Sequence, residues 1–254
     1  MSGADYDLWY WPSIQGRGEF VRLLIEGAGI TYRDRARDDG VEALVDDMER
    51  RSKSDEFAPY APPYLVERES GFAIAQVAHI VTWLTDRHDL GTGDGSKDLH
   101  LIQLQLTISD MVAEVHNVHH PIAGGLYFDD QKDAAIRAAE AFREERIPKF
   151  FDHFETALGI CDGPFVAGTK WSHVDTSLFQ LVAGLRYAFP NRMAAVESDY
   201  PRLIACSNAV STIEGIAAYL ASDRRIAFNE DGIFRHYEEF FTVHFYFSST
   251  PFFE

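Results

Sequence analysis

Apolar positions follow two different rhythms along this chain. Up to about residue 90, short apolar or alternating runs are interleaved with stretches at helical spacing. Leu8, Trp9, Tyr10 and Trp11 make an aromatic strand, broken at Pro12 and Gly16. Phe20, Val21, Leu23, Leu24 and Ile25 then recur as in a helix that stops at Gly27 and Gly29. Residues 30–36 alternate as a second strand, and 41–51 form a charged helix with Leu44, Val45 and Met48 inward. Residues 61–67 are a short strand entered through Pro62-Pro63, 72–74 its hairpin partner, and 76–88 a helix with Val77, Ile80, Val81 and Leu84 on one side. That order predicts a small α/β domain over residues 1–90.

Gly91-Thr-Gly-Asp-Gly-Ser-Lys97 reads as the linker, and residues 98–254 are helical in pattern. The periodicity predicts a long helix over 99–119, closed by Pro121 and Gly124-Gly125. A second runs over 131–158, with Ile147, Phe150, Phe151 and Phe154 inward and a kink at Pro148. Ser172 and Asp175 have the spacing of a capping box before an apolar helix at 178–189, and helices at 200–211 and 213–222 complete a bundle. The tail, 239–247 and then Pro251-Phe252-Phe253, crowds aromatics together. It reads as a strap on the protein's own surface, as a cover over an apolar pocket, or as an extraneous end.

A net charge of −17, with no basic run longer than Arg50-Arg51-Ser-Lys53, makes nucleic acid and anionic membranes poor partners. The opening Met-Ser-Gly-Ala-Asp-Tyr-Asp lacks the basic and apolar regions of a signal peptide, and no stretch is apolar for long enough to span a bilayer. Two cysteines, Cys161 and Cys206, suit a reducing compartment, and the expected location is the cytoplasm.

The first strand, loop and helix leave Tyr10 at a strand end, its phenol directed into the space ahead of the helix. An O–H donor beside helix-terminal N–H groups suits an anion. This stretch, with Tyr10, Gly16-Arg17-Gly18 and Val21-Arg22-Leu23-Leu24, resembles the opening of the cytosolic glutathione transferases of the tyrosine type, the alpha, mu, pi and sigma classes. Its loop is one residue longer than the usual spacing. The resemblance extends over residues 60–86 and, less closely, 165–190.

The resemblance implies an α/β thioredoxin-like N-terminal domain followed by an all-α C-terminal domain, a homodimer, glutathione as co-substrate and a hydrophobic electrophile as second substrate. It makes Tyr10 the partner of the glutathione sulfur. Lowering a thiol from about 8.5 to about 6.5 requires about 2.7 kcal/mol of preferential anion stabilisation, and one hydrogen bond to a charged group supplies about 1.5–3 kcal/mol. Tyr6 and Ser13 compete for that role. Pro63 matches the family's cis-proline, with Pro62 offering its backbone to the ligand. Gln76-Val77 stands where the family has Gln-Ser or Gln-Thr, so one hydroxyl that would hold the γ-glutamyl carboxylate is missing and weaker glutathione binding follows. His79 lies near enough to compensate. Trp11 matches the Trp beside the catalytic Tyr of the mu class, Lys53 (or Arg50 or Arg51) is placed to pair with the glycyl carboxylate, and Asp110 to reach across a dimer interface.

His116, His119 and His120, with Glu114, share a helix face. Metal ligation there competes with a simpler place along a substrate cleft, and the expectation is no metal, because zinc sites draw ligands from more than one element. The function expected is conjugation of glutathione to an apolar electrophile. The alternatives are a non-catalytic binding module of the same fold, or glutathione-dependent peroxide reduction or isomerisation.

Overall fold

A computed structural model describes residues 5–55 and 57–241. Strands β1 (Tyr6–Trp9), β2 (Tyr32–Asp34), β3 (Tyr64–Glu67) and β4 (Ala73–Ala75) form one sheet in the order β2-β1-β3-β4. β1 and β2 are parallel, with Tyr6 opposite Tyr32, and the other pairs are antiparallel, with Leu8 opposite Leu65 and Leu65 opposite Ile74. Helix α1 (Gly18–Ala28) crosses between the parallel strands; α2 (Arg35–Asp39), α3 (Val41–Ser54) and α4 (Val77–Arg87) complete the domain. The alternation of residues 30–36 thus yields a shorter strand, its last residues entering α2.

Among the described residues the second domain is built on helices: α5 (Gly95–Val118), α6 (Lys132–Ala141), α7 (Ile147–Leu158), α8 (His173–Ala188), α9 (Pro190–Val196), α10 (Pro201–Ser211) and α11 (Glu214–Leu220). This is the α/β thioredoxin-like plus all-α architecture. The linker is shorter than its composition suggests, because the Asp94 carboxylate accepts the Ser96 and Lys97 N–H groups and starts α5 at Gly95. The long helix expected over 131–158 is α6 and α7 joined by a π-turn at Phe142–Arg146. Proline has no N–H to give the preceding turn, and the wider turn places Pro148 in the first turn of α7, where none is needed.

Helix α1 unites the domains because it is apolar on two faces. Val21, Leu24 and Ile25 pack on the sheet, whereas Phe20 and Leu23 belong to the core of the helical bundle. At its end α11 comes so close that a Cβ on Gly215 would lie 1.9 Å from the Glu26 carbonyl oxygen. Beyond α11, residues 222–241 form an irregular strap ending in a short 3-10 turn, with Ile233, Phe234 and Phe240 buried. The aromatic tail anticipated from residue 239 lies, from 242 onward, outside the described residues.

Asp175 holds the start of α8 as the capping spacing predicts. Its fully buried carboxylate accepts from the Ser172 N–H at 2.7 Å, the Ser172 hydroxyl at 2.7 Å and the Val166 N–H at 2.8 Å. Desolvation still pushes its carboxyl up. Replacing Asp175 by Ala leaves three donors without that acceptor. The expected cost exceeds the roughly 0.5–2 kcal/mol of an ordinary cap, read as a lower urea midpoint at unchanged m-value.

Candidate functional site

The turn that follows β1 is built on Tyr10. The ring lies 4% exposed beneath Gly16 and Gly18, and a Cβ on Gly16 would stand 2.1 Å from the phenol oxygen, one on Gly18 2.6 Å from the ring. Gly16 also sits at φ +46°, where a side chain is disfavoured. The phenol oxygen accepts the Arg17 N–H at 2.8 Å, and burial pushes the phenol's proton affinity up, against a smaller opposing pull from that N–H. Tyr10 therefore stays protonated, and its fixed place is under the turn. The sequence directs this phenol into open space ahead of the helix; the structure turns it inward instead, because two glycines in three residues let the backbone close over the ring.

What the turn presents outward is Arg17. It lines a cavity of about 530 Å³ between the domains, within the range of about 300–1,000 Å³ common for small-ligand sites. The opposite wall is the Pro62-Pro63 turn, whose peptide bond is cis, together with Gln76, Val77, Ala78 and His79 at the start of α4. Gln76 takes φ +71° to enter that helix, so the first N–H groups of α4 border the cavity without partners inside the helix. The floor comes from α5, with Gln105, Ser109 and Val112. Although the chain carries a net charge of −17, no carboxylate is among the described lining residues. A guanidinium, a helix N-terminus and several neutral donors make a receptor for an anion with amide groups.

Of the residues picked out from the sequence, the structure brings Pro62, Pro63, Gln76, Val77 and His79 together on this cavity. The others stand elsewhere. Tyr10 lies behind the wall, Trp11 is exposed on the outside of the turn, and the exposed Ser13 offers its carbonyl to Asn229 at 2.8 Å. Lys53 is exposed and paired with Glu49 at 2.5 Å on the surface of α3. Asp110 is exposed on α5 outside the cavity. Arg17, Gln105 and Ser109 were missed as lining residues. Arg17 could have been found from its place between the two glycines of the turn; nothing local marks the other two.

The histidines at the end of α5 separate. His116 and His120 lie ring against ring at 5.2 Å, with burial holding the His116 imidazole below its usual value. His119 points into the core, fully buried and stacked on Phe240 at 5.6 Å, away from any cleft. Among the described residues no three metal-ligating side chains converge.

The matches to known proteins agree with this architecture. Residues 116–223 match the family described as Glutathione S-transferase, C-terminal domain. The Pi-class glutathione S-transferase of Onchocerca volvulus superposes with a TM-score of 0.65 at 17% identity, covering 85% of this chain and 92% of that one. Prostaglandin synthase D of Nilaparvata lugens gives 0.65 at 16% identity (87% and 99%), and rat hPGDS complexed with a quinoline gives 0.62 at 20% identity (85% and 95%). No curated protein matches the sequence. The protein thus has the two-domain glutathione transferase fold. Within its helical half, residues 116–223 resemble the transferase C-terminal domain.

His119 gives the helical domain a defined acid sensitivity. Neither ring nitrogen makes a well-formed hydrogen bond among the described residues. Burial, then the Arg235 guanidinium, hold the imidazole down to about 3, against a smaller opposing contribution from the Ile233 backbone. The unfolded chain takes up this proton near pH 6.5 and the folded one does not, so stability falls as pH drops from about 6.5 towards 3. By pH 5 the loss from this residue is about 2 kcal/mol. His119→Phe should lower the difference in unfolding free energy between pH 8 and pH 5 by about that amount, as measured by urea titration at both values.

Proposed function

We propose that this protein is a glutathione transferase that binds glutathione in the interdomain cavity and transfers its sulfur to a hydrophobic electrophile. The observation that carries the reading is the wall chemistry: a cation and a helix N-terminus, without a carboxylate, in a strongly acidic chain. The tripeptide's γ-glutamyl carboxylate fits the N–H groups of Val77 and Ala78 at the mouth of α4, with Gln76 beside them. Its cysteinyl backbone fits the edge offered by Pro62. Val77 supplies no hydroxyl; Ser109 and His79 are the remaining polar side chains near that end.

In this reading Arg17 faces the sulfur. Its guanidinium, always charged, stabilises a thiolate over a thiol by about 1.5–3 kcal/mol, comparable with the ~2.7 kcal/mol needed to ionise the thiol near pH 6.5. Tyr10 becomes a positioning residue: its phenol accepts the Arg17 N–H and fixes the direction of the turn. The thiolate sulfur then forms a bond to an electrophilic carbon, and the leaving group departs with the electron pair. The apolar residues of α5, Leu106, Ile108 and Val112, offer the surface on which an apolar electrophile would rest.

A homodimer in the cytoplasm is part of the proposal. Phe57 and Tyr60, 87% and 93% exposed, stand before the Pro62-Pro63 turn, and a second, apolar cavity of about 300 Å³ opens between α5 and α7. A two-fold pair has the means to bury both kinds of surface.

Retention on immobilised glutathione and turnover of a generic aryl halide test the reading together. Arg17→Ala should reduce kcat/KM by about 10- to 100-fold, equivalent to 1.5–3 kcal/mol. Tyr10→Phe should cost less than Arg17→Ala. Loss of turnover in Tyr10→Phe with a mild effect in Arg17→Ala would return the sulfur to the phenol. Retention without turnover in the wild type would make the protein a binding module.

A further inference from the structure

The match to the transferase C-terminal domain stops at residue 223, so nearly all of the strap (222–241) lies beyond it. Its contacts concentrate on one target. Asn229 donates from Nδ2 to the Ser13 carbonyl at 2.8 Å, and the Gln15 side-chain amide donates to the Ile226 carbonyl. Gln15 is 4% exposed, and its Oε1 accepts from Gln180 of α8 at 2.8 Å. Arg225 reaches Gln180 Oε1 at 3.1 Å and Glu19 Oε1 at 2.5 Å. Glu19 is fully buried at the start of α1, where its other oxygen meets Arg22 at 3.2 Å and the Tyr219 hydroxyl at 3.1 Å. Arg22 in turn binds Asp34 at 2.7 Å.

These bonds enclose the turn that carries Arg17. From below, Tyr10 holds the Arg17 N–H; from the side, the strap holds Ser13 and Gln15, the residues just before the glycines. The strap is itself fixed to the bundle: Phe228 stacks on Tyr187 at 5.1 Å, and Phe234 lies against Gly184, where a Cβ would come within 2.3 Å of its ring. A turn with glycines at positions 16 and 18 has little stiffness of its own, so its geometry depends on these outside contacts.

We infer that the strap is the element that fixes the Arg17 turn, and that Arg225, Ile226 and Asn229 are positioning residues for the interdomain site. The inference rests on the proposed glutathione site for its functional consequence, but the mechanical part stands apart from it. The strap transmits rigidity from α8 to the turn, and the turn holds the guanidinium at the cavity wall.

The test combines hydrogen exchange with steady-state kinetics on the full chain. In the double variant Gln15→Leu, Asn229→Ala, the amides of residues 16–18 should exchange at least about tenfold faster, the effect of losing one or two hydrogen bonds, while those of α4 are unchanged. The KM for glutathione should rise about tenfold, as for one lost charge-assisted bond, with a smaller change in kcat. Arg225→Ala should act in the same direction and Arg225→Lys restore most of the loss. If Arg225→Ala does not fold, the double variant, which leaves the Glu19 ion pairs in place, decides alone. Unchanged exchange at residues 16–18 in the folded double variant overturns the inference. Faster exchange with an unaltered KM overturns the positioning role. Faster exchange in a protein whose wild type neither retains on glutathione nor turns over refutes the proposed function and leaves the strap's hold on the turn established.

Discussion

Everything at the interdomain cavity depends on a close approach of backbone to ring. The chain between Gly16 and Gly18 passes so near Tyr10 that neither position admits a side chain, and Arg17, between them, is among the residues lining the cavity. The same contact satisfies the Arg17 N–H with the phenol oxygen at 2.8 Å. A buried polar group that is bonded on one side of a wall and a charge exposed on the other is an economical way to aim a cation. The bundle enforces it, because α1 starts at Gly18 and buries Phe20 and Leu23 in the helical core.

The site is electrostatically set apart from its own protein. A chain of net charge −17 repels anions at long range, yet ionic screening confines that repulsion to roughly 8–10 Å in physiological salt. Among the described residues that line the cavity are Arg17 and the first turn of α4, and no carboxylate. The acidic surface is paired elsewhere: Asp7, Asp38 and Asp39 with Arg33 and Arg35, and Asp47 with Arg50 and Arg51. Arg17 has no such carboxylate partner among the described residues, in keeping with a cation kept for a ligand.

Much of the fold was legible because its signals are local. Pro62-Pro63 before an apolar run, Ser172 with Asp175, and Gly29 ending α1 at φ +66° each state their structure within a few residues. The helix α5 followed from helical spacing, whereas its cavity residues Gln105 and Ser109 did not. What sequence reading got wrong required knowledge of packing. Tyr10 looks outward from its place at a strand end, and only the backbone closing over it at Gly16 and Gly18 turns it in. His119 shares a helical face with His116 by spacing, yet the aromatic rings of Tyr237 and Phe240 arrive from more than a hundred residues away to bury it. The strap is the extreme case: residues 222–230 have no periodicity, and their contacts with Ser13, Gln15, Glu19 and Glu26 all span more than 180 residues.

The central claim is that a fixed guanidinium at the interdomain wall lowers the proton affinity of a bound tripeptide's thiol. Ultraviolet difference absorption of the thiolate, titrated against pH in the glutathione complex, measures this directly. The account predicts half-ionisation about two pH units below that of the free thiol, and a return towards the free value, near 8.5, in Arg17→Ala. Titration of bound glutathione at the free value in the wild type would contradict it.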